Sequence, residues 1–467
     1  MYSFPSFESN DFIFSRNLIS PYEYFFLLLY IIIFLTIGVI IRNSYYKNHQ
    51  GRKYFLPALL LKIIGGVVIC LIYNYYYVGG DTNAYFNDAR LLNKILFHDP
   101  LTAMKLFFSG QDKLLNDFGY YYNSFRFLRA DDTFMVVRIA AFLQIFTFNS
   151  FLVTSALFGF LSFFCLWYFY VALCKLYPML YGKFAYATMF VPSLVIWGSG
   201  IFKDTICLAL LCLIYGNIQN SIREKKIKFW NSLIIITAIY LLIVIKAYIV
   251  LIFSLSFSTF FILGTLKKMK NIFLKYALAP IIISIGLVGF YYTFEKVGKT
   301  SKSEIYSIEK ILKTAEITGN YLQYVSSLTK SSGYSLGEIE YTVAGIIKKA
   351  PQAINVTLFR PYLWEVRKPI MLFSAFESFS ILLFTVFIFL KNGIFRSLKI
   401  ALNNVLIFSF LIYSIVFAFS IGITSFNFGS LVRYKIPILP FYLIALILID
   451  YYSNISKRKK SGVSYPI

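Results

Sequence analysis

The sequence predicts an all-α, polytopic integral membrane protein with about eleven transmembrane helices and interfacial helices in its outer loops. Hydrophobic residues make up 58% and aromatic residues 20% of the 467-residue chain, which is more apolar side chain than a soluble core uses. Apolar runs recur along the chain at about the length that crosses ~30 Å of hydrocarbon as a helix. Basic residues concentrate in alternate loops, as the positive-inside rule describes.

The apolar runs divide the chain into predicted spans within one transmembrane domain, 1–467. The runs near 184–199, 203–219 and 437–452 are short for a full crossing. The pair at 230–246 and 247–265 also fits one broken hairpin. The predicted spans lie near 23–41, 55–77, 149–173, 184–199, 203–219, 230–246, 247–265, 276–294, 370–390, 401–421 and 437–452.

The distribution of basic residues predicts the orientation. Alternate loops are rich in lysine and arginine, and the C-terminal tail carries Lys457-Arg458-Lys459-Lys460. These loops are expected in the cytoplasm, with the N-terminus outside. The net charge of +24 then reflects membrane topology, so we expect membrane lipids and no nucleic acid as partners. Frequent Lys, Asn, Ile, Tyr and Phe residues favour a bacterial source, and hence the inner membrane.

Two predicted outer loops are too long to be simple connections. The first, 78–148, balances seven basic residues against seven acidic ones. Amphipathic patterns over Ala89–Phe108 and Met135–Phe148 predict helices that lie in the membrane interface. The second outer loop, 295–369, has a helical pattern over Ser303–Leu328 and then becomes aromatic and basic.

The first candidate site follows the second span. Gly80-Asp81-Thr82-Asn83-Ala84-Tyr85 stands where the chain leaves the hydrocarbon, and Asp88 comes shortly after. A carboxylate there is wet enough to ionise and close enough to meet a lipid-carried substrate. Asp81 is the candidate catalytic base, with Tyr85 and Asp88 as substrate-binding candidates. Asp after glycine is also a common helix cap, and the sequence leaves both interpretations open.

The second and third candidates carry lysine at the ends of apolar runs. Residues 192–205 join two short spans, and a helix that begins near Lys203 has free N–H groups that favour an anion such as phosphate. Lys203 and Asp204 are candidate substrate ligands, although both also fit a solvated outer turn. Lys246 has no polar loop around it. It fits a pair with Asp81 or Asp204, a phosphate ligand, or a side chain that snorkels to the headgroups.

The remaining candidates lie late in the chain. Arg433 and Lys435 precede the last span, and an arginine fork suits a phosphate or pyrophosphate. A contact with lipid headgroups is the alternative. Arg360, together with Trp364 and Glu365, is a weaker candidate for stacking against a sugar; an interfacial aromatic anchor also fits this segment.

Several classes of chemistry lack their motifs. The chain has no P-loop, no Gly-x-Gly-x-x-Gly, no Gly-x-Ser-x-Gly and no zinc-protease signature, so ATP hydrolysis and dinucleotide chemistry are not supported. Only two histidines and five scattered cysteines are present, and no metal site is predicted. No cofactor is required, although Asp81 and Asp204 offer oxygen ligands that a divalent cation accepts.

These motifs together resemble the polytopic GT-C-type glycosyltransferases. The resemblance rests on the early outer-loop acid, on Pro192-Ser193 with Gly198-Ser199-Gly200-x-x-Lys203-Asp204, and on Arg433-Tyr434-Lys435-x-Pro437-x-x-Pro440. The two-span lead-in before Asp81 is also similar to the EpsG-type polysaccharide polymerases. In this sequence the acid follows the second span rather than the first, and the doublet Asp131-Asp132 stands late in the loop.

The resemblance implies an enzyme that uses a polyprenyl-phosphate-linked sugar or oligosaccharide at the outer face of the inner membrane. The product would belong to a surface polysaccharide or glycolipid. Asp81 would be the base, and Lys203, Lys246, Arg433 and Lys435 would surround the lipid phosphate. The alternatives are an EpsG/Wzy-type polymerase, a transporter of lipid-linked oligosaccharides, and a non-catalytic factor that docks other cell-envelope glycan assembly proteins.

Overall fold

A computed structural model describes residues 19–110, 124–268, 316–317, 333–337 and 339–460. Most of these residues (82%) are helical and they contain no β-strand; one isolated antiparallel bridge joins Gly333 to Asn427. Eight of the described helices are long and apolar enough to cross a membrane. The prediction of an all-α polytopic membrane protein is therefore confirmed at this level.

The helices are numbered in chain order. The first ten are α1 (Pro21–Tyr45), α2 (Arg52–Leu71), α3 (Asp81–His98), α4 (Pro100–Phe108), α5 (Asp131–Ile145), α6 (Phe151–Leu176), α7 (Tyr181–Met189), α8 (Pro192–Ile196), α9 (Lys203–Glu224) and α10 (Phe229–Lys268). The others are α11 (Val343–Lys348), α12 (Ala350–Phe359), α13 (Pro369–Asn392), α14 (Ile394–Asn403), α15 (Val405–Thr424), α16 (Phe428–Tyr434) and α17 (Leu439–Lys460).

The described helices differ from the predicted spans at two places, and one predicted span cannot be compared. The run near 184–199 forms the short helices α7 and α8 instead of one long helix, because Pro192 starts a new helix there. The two runs at 230–265 form α10, two helices that meet at Lys246, where φ is −152° and ψ is 78°. The predicted span at 276–294 lies outside the described residues.

The chain forms two compact units. The first comprises Met1–Ala185 and Leu194–Lys246, and the second comprises Tyr186–Ser193 and Ala247–Ile467. The boundary within α10 falls at the break beside Lys246. The single transmembrane domain over 1–467 stays a prediction.

The first unit is built on a close crossing of α2 and α6. A Cβ atom on Gly159 of α6 would lie 2.2 Å from the carbonyl oxygen of Lys62 on α2. A Cβ atom on Gly66 of α2 would lie 2.3 Å from the carbonyl oxygen of Ser155 on α6. Small residues let membrane helices approach backbone to backbone, so these glycines set the distance between the two helices.

Contacts at the helix ends show that α1, α6 and α9 run in the same direction, whereas α2 runs in the opposite one. At one end, the hydroxyl of Ser150 donates to Glu23 at 2.6 Å, and the hydroxyls of Tyr24 and Tyr75 are 3.0 Å apart. At the other end, Lys175 donates to Asn220 at 3.2 Å. The loops predicted to be outer and those predicted to be cytoplasmic therefore lie at opposite ends of this unit.

Helices occupy both amphipathic patterns of the segment 78–148, which the sequence predicts as an outer loop. The patterns over 89–108 and 135–148 correspond to α3 with α4 and to α5. Asn93 of α3 donates to the carbonyl oxygen of Ala141 at 3.0 Å, and Gln144 of α5 donates to that of Phe86 at 3.0 Å. The helical pattern at 303–328 lies outside the described residues, apart from 316–317.

In the second unit, α15 packs against α12 and α17. A Cβ atom on Gly422 of α15 would lie 2.2 Å from the carbonyl oxygen of Ala353, and Thr357 of α12 donates to the carbonyl oxygen of Ala418 at 2.8 Å. On the α17 side, the ring centroids of Phe410 and Phe441 are 5.1 Å apart. These contacts bury the faces of three helices.

Candidate functional site

Asp81 lies in the first turn of α3. The cap position belongs to Gly80, whose φ is 113°, and Gly79 before it has φ 139°. Only glycine adopts such values readily, so the two glycines allow the sharp exit from α2. Asp81 is therefore a first-turn residue rather than the N-cap itself, and a carboxylate in the first turn complements the helix dipole.

Tyr73 connects the start of α3 with the start of α9. A π-helical turn, Ile72–Tyr76, continues α2 and carries this tyrosine. A Cβ atom on Gly80 would lie 2.8 Å from the Tyr73 ring, and the ring centroids of Tyr73 and Phe202 are 5.4 Å apart. Gly80 precedes Asp81 and Phe202 precedes Lys203, so both predicted residues begin a helix beside the same aromatic ring.

Lys203 binds Asp132, the second acid of the doublet Asp131-Asp132. Its Nζ donates to Asp132 at 2.6 Å and to the hydroxyl of Thr133 at 2.7 Å. The side chain of Lys203 is 17% exposed and that of Asp132 is 53% exposed. The ammonium is therefore neutralised on one side by a carboxylate that also faces solvent.

Asp204 and Lys246 form a buried ion pair. Nζ of Lys246 donates to Oδ1 of Asp204, and the two side chains are 11% and 4% exposed respectively. Asp204 lies in the first turn of α9, where the free N–H groups favour an anion. Among the alternatives for Lys246, the structure thus shows the pair with Asp204. The anion in the first turn of α9 is the chain's own carboxylate.

Tyr85 and Asp88 hold the segment 124–130 against α3. The ring centroids of Tyr85 and Phe127 are 4.9 Å apart. The buried carboxylate of Asp88 accepts the backbone N–H groups of Arg126 and Phe127 at 3.1 and 2.9 Å. Burial raises the pKa of Asp88 to about 6, although the two N–H donors act in the opposite direction. Both predicted residues thus stabilise the loop that leads to Asp132.

Three predicted segments of the second unit meet at Glu377 and Ser378 on α13. The backbone N–H of Ser193 donates to Glu377 Oε2 at 2.6 Å. Nζ of Lys435 donates to the hydroxyl of Ser378 at 2.8 Å, and this hydroxyl donates to the carbonyl oxygen of Arg360 at 3.1 Å. Residues far apart in sequence therefore converge on two adjacent side chains.

Charges in this cluster are deeply buried. Lys435 is fully buried and Glu377 is 6% exposed. Burial lowers the pKa of Lys435, and the nearby Glu377 carboxylate partly restores it. Glu377 Oε1 has no hydrogen-bond partner among the described residues. Such a group in an apolar helix is costly unless it has a function or a partner.

Arg360 and Trp364 lie at a more open position. The Arg360 guanidinium pairs with Glu365 and lies 5.3 Å from the ring centroid of Phe428. Trp364 stacks on Tyr362 at 4.8 Å and is 77% exposed. Both sequence interpretations, sugar stacking and interfacial anchoring, use an exposed aromatic ring of this kind.

Arg433 lies on α16, half-buried, with its guanidinium carbon 6.0 Å from the ring centroid of Tyr434. Asp81, Lys203, Asp204 and Lys246 belong to the first unit, whereas Arg360, Arg433 and Lys435 belong to the second. The ion pairs bring Asp204 and Lys246 together and join Lys203 to a residue outside the predicted set.

Three charged residues that were not singled out from the sequence have buried or ion-paired contacts in the structure. Lys62 and Glu377 each interrupt an apolar helix, and a charge inside such a helix is itself a functional signal. The sequence alone contains that signal for Lys62 and Glu377. It contains no signal for the contact between Asp132 and Lys203, because these residues are 71 positions apart.

No metal-binding group of three or more His, Cys, Asp or Glu side chains occurs within the part of the chain that the structure describes. No protein-family model, curated protein or solved structure matches this chain. Its function is therefore argued from the geometry of the site and from the motifs.

Proposed function

We propose that this chain is a membrane glycosyltransferase that uses a polyprenyl-phosphate-linked sugar at the outer face of a bacterial inner membrane. One observation supports the proposal above the others. A carboxylate, Asp81, and an ammonium group, Lys203, each begin a helix beside the Tyr73 ring, at one end of an apolar helical unit. An acid and a cation at a membrane boundary suit a substrate whose sugar is polar and whose carrier is a lipid.

The proposed reaction gives each group one task. The Asp81 carboxylate removes the proton from an acceptor hydroxyl. The hydroxyl oxygen attacks the anomeric carbon of the lipid-linked sugar and forms the new glycosidic bond. The bond between that carbon and the phosphate oxygen breaks, and the polyprenyl phosphate leaves with the electron pair. Lys203 stabilises the negative charge of the leaving phosphate.

The buried lysines take supporting tasks in this proposal. Lys246, held against Asp204, fixes the first turn of α9 and therefore the position of Lys203. Lys435 is fully buried, so it acts through Ser378. Arg433 and Arg360 stay predicted ligands of the phosphate and the sugar.

The proposal is tested by the surface glycan of cells that carry Asp81→Asn at wild-type membrane expression. Asn keeps the shape of the side chain but cannot accept the proton. We expect the glycan to disappear or to shorten to one added unit. Its size distribution then distinguishes single transfer from an EpsG/Wzy-type polymerase, which would leave a ladder in the wild type.

Asp99→Asn is the matched control. Asp99 belongs to the same loop, and its side chain accepts the N–H of Thr102 as the cap of α4, a bond that Asn retains. We expect a wild-type glycan from this variant. A wild-type glycan from Asp81→Asn as well would contradict catalysis by Asp81.

A second candidate function, transport of lipid-linked oligosaccharides, is favoured by the buried charges of the second unit. Glu377 lies within a candidate span and Lys435 is fully buried, and transporters place ionisable groups inside the membrane. Deletion of the protein separates the candidates. Loss of a transferase leaves unused lipid-linked sugar on the outer face, whereas loss of a transporter leaves it on the cytoplasmic face.

A further inference from the structure

Lys62 is a lysine in the middle of a candidate span. It is the eleventh residue of the 25-residue apolar segment Arg52–Tyr76, roughly 15 Å from its start at 1.5 Å per residue. Its side chain is fully buried, so snorkelling to the headgroups does not explain it. A charge at this depth needs partners inside the protein.

The partners of Lys62 are main-chain carbonyl groups. Nζ donates to the carbonyl oxygen of Leu194 at 2.8 Å and to that of Gly198 at 2.5 Å. None of the ion pairs among the described residues includes Lys62. Two neutral carbonyl oxygens that point at one ammonium form the kind of site that binds a monovalent cation. In this chain the cation in that site is the ammonium of Lys62 itself.

The same carbonyl groups belong to a turn held by several other bonds. Ser162 donates to the Gly198 carbonyl oxygen at 3.1 Å, Ser199 to that of Val195 at 2.5 Å, and Thr205 to that of Trp197 at 3.3 Å. This segment, residues 194–202, comprises the end of α8 and the turn after it; it is called the 194–202 turn below and leads directly into α9.

The turn also lies directly on the backbone of α2. A Cβ atom on Gly65 would lie 1.9 Å from the Val195 carbonyl oxygen. The backbone contact and the ammonium therefore fix the turn at two neighbouring places on one helix. Any movement of the turn would shift the first residues of α9, Lys203 and Asp204.

We propose that Lys62 is a positioning residue whose ammonium occupies a monovalent-cation site made by the Leu194 and Gly198 carbonyl groups. It holds the 194–202 turn and thereby places Lys203 and Asp204. The importance of this placement for sugar transfer rests on the proposed function. The existence of the cation site is independent of that function, so its test needs no enzymatic activity.

The test removes the attached cation and supplies a free one. Lys62→Ala removes the three side-chain carbons Cγ, Cδ and Cε together with the ammonium, and propylammonium supplies the same three carbons and the ammonium. We expect the purified variant to unfold at a lower temperature than the wild type, and propylammonium chloride to restore most of this difference with a saturable dose dependence. Tetramethylammonium has the same charge but no N–H donor, and we expect no restoration from it. Lys228→Ala, at an exposed lysine, should respond to neither salt.

A probe in the turn distinguishes positioning from general stability. The chain has four tryptophans, and Trp197 lies in the turn. With fluorotryptophan incorporated, we expect Lys62→Ala to shift the Trp197 fluorine resonance and propylammonium to return it. The resonance is assigned by its absence from Trp197→Phe.

Three results would overturn the inference: an unshifted Trp197 resonance in Lys62→Ala, equal restoration by tetramethylammonium, or no restoration by propylammonium. Should Lys62→Ala fail to accumulate, Lys62→Met keeps the stem without the charge. A wild-type Trp197 resonance in that variant would also overturn it, and a shifted one would support it. A restored resonance in a protein whose wild type transfers no sugar would leave this inference standing and refute the proposed function.

Discussion

The buried pair of Asp204 and Lys246 gives the sharpest energetic prediction. The two side chains are 4% and 11% exposed, so little water is available to solvate a charge left alone. Breaking such a pair from one side costs about 3–5 kcal/mol of unfolding free energy. We expect Asp204→Asn to fall in this range. Lys246→Met should cost less, because the first turn of α9 stabilises a lone carboxylate by about 0.3–2 kcal/mol.

The double variant isolates the interaction. Asp204→Asn/Lys246→Met leaves no unpaired charge, so we expect it to be at least ~2 kcal/mol more stable than the sum of the single effects implies. The assay is denaturant unfolding of the purified protein in mixed micelles. Single effects that add to within ~0.5 kcal/mol would refute a coupled buried pair.

The other end of α9 offers a control pair. Lys228 and Glu224 lie 2.9 Å apart, but their side chains are 55% and 34% exposed. An exposed ion pair of this kind contributes only about 0.2–1 kcal/mol. We expect the same double-mutant cycle to give a coupling energy of that size.

Three other predictions concern packing, pH and orientation. Gly159→Ala places a methyl group 2.2 Å from the Lys62 carbonyl oxygen and should lower the unfolding free energy by ~1–3 kcal/mol. Gly264→Ala meets no atom within 4 Å, so it should be neutral or stabilising, and the reverse order would contradict the close helix crossing. Burial raises the pKa of Asp88 from 3.8 to about 6, so the folded state holds this proton more tightly. Unfolding free energy should therefore fall by up to about 3 kcal/mol as pH rises from about 4 to about 6. Asp88→Asn should remove that fall, and an unchanged pH profile would count against the assignment. Finally, a membrane-impermeant thiol reagent should label His98→Cys in intact cells but Lys226→Cys only after permeabilisation; the opposite pattern would invert the proposed orientation.

Long apolar helices were the most predictable part of this fold, because hydrocarbon thickness fixes their length. The predicted spans at 23–41, 55–77 and 149–173 correspond to α1, α2 with its π-helical turn, and α6. The run near 184–199 has the hydropathy of a transmembrane helix, so the sequence predicts a span where the structure has two short helices. Its backbone is interrupted at Pro192, and the tight turn packs on Gly65.

The candidate site was predictable residue by residue but not as a set of contacts. For Lys246, which has no polar loop around it, a pair with Asp81 or Asp204 is one of three interpretations that the sequence allows, and the structure shows the pair with Asp204. The acid that binds Lys203 was not identified, since Asp132 and Lys203 come together only through the packing of the loop and α9. Lys62 and Glu377 stood in apolar runs, where hydropathy averages hide a single charge.

Transfer by the purified protein is the most direct test of the central claim. The wild-type protein, Asp81→Asn and Asp99→Asn would be incubated with polyprenyl-phosphate-linked sugars extracted from the host membrane, and mass spectrometry would measure released polyprenyl phosphate. The account predicts release, together with a glycosylated acceptor, from the wild type and Asp99→Asn, and loss of both products from Asp81→Asn. Release that is equal in all three proteins, or absent from the wild type, would contradict it.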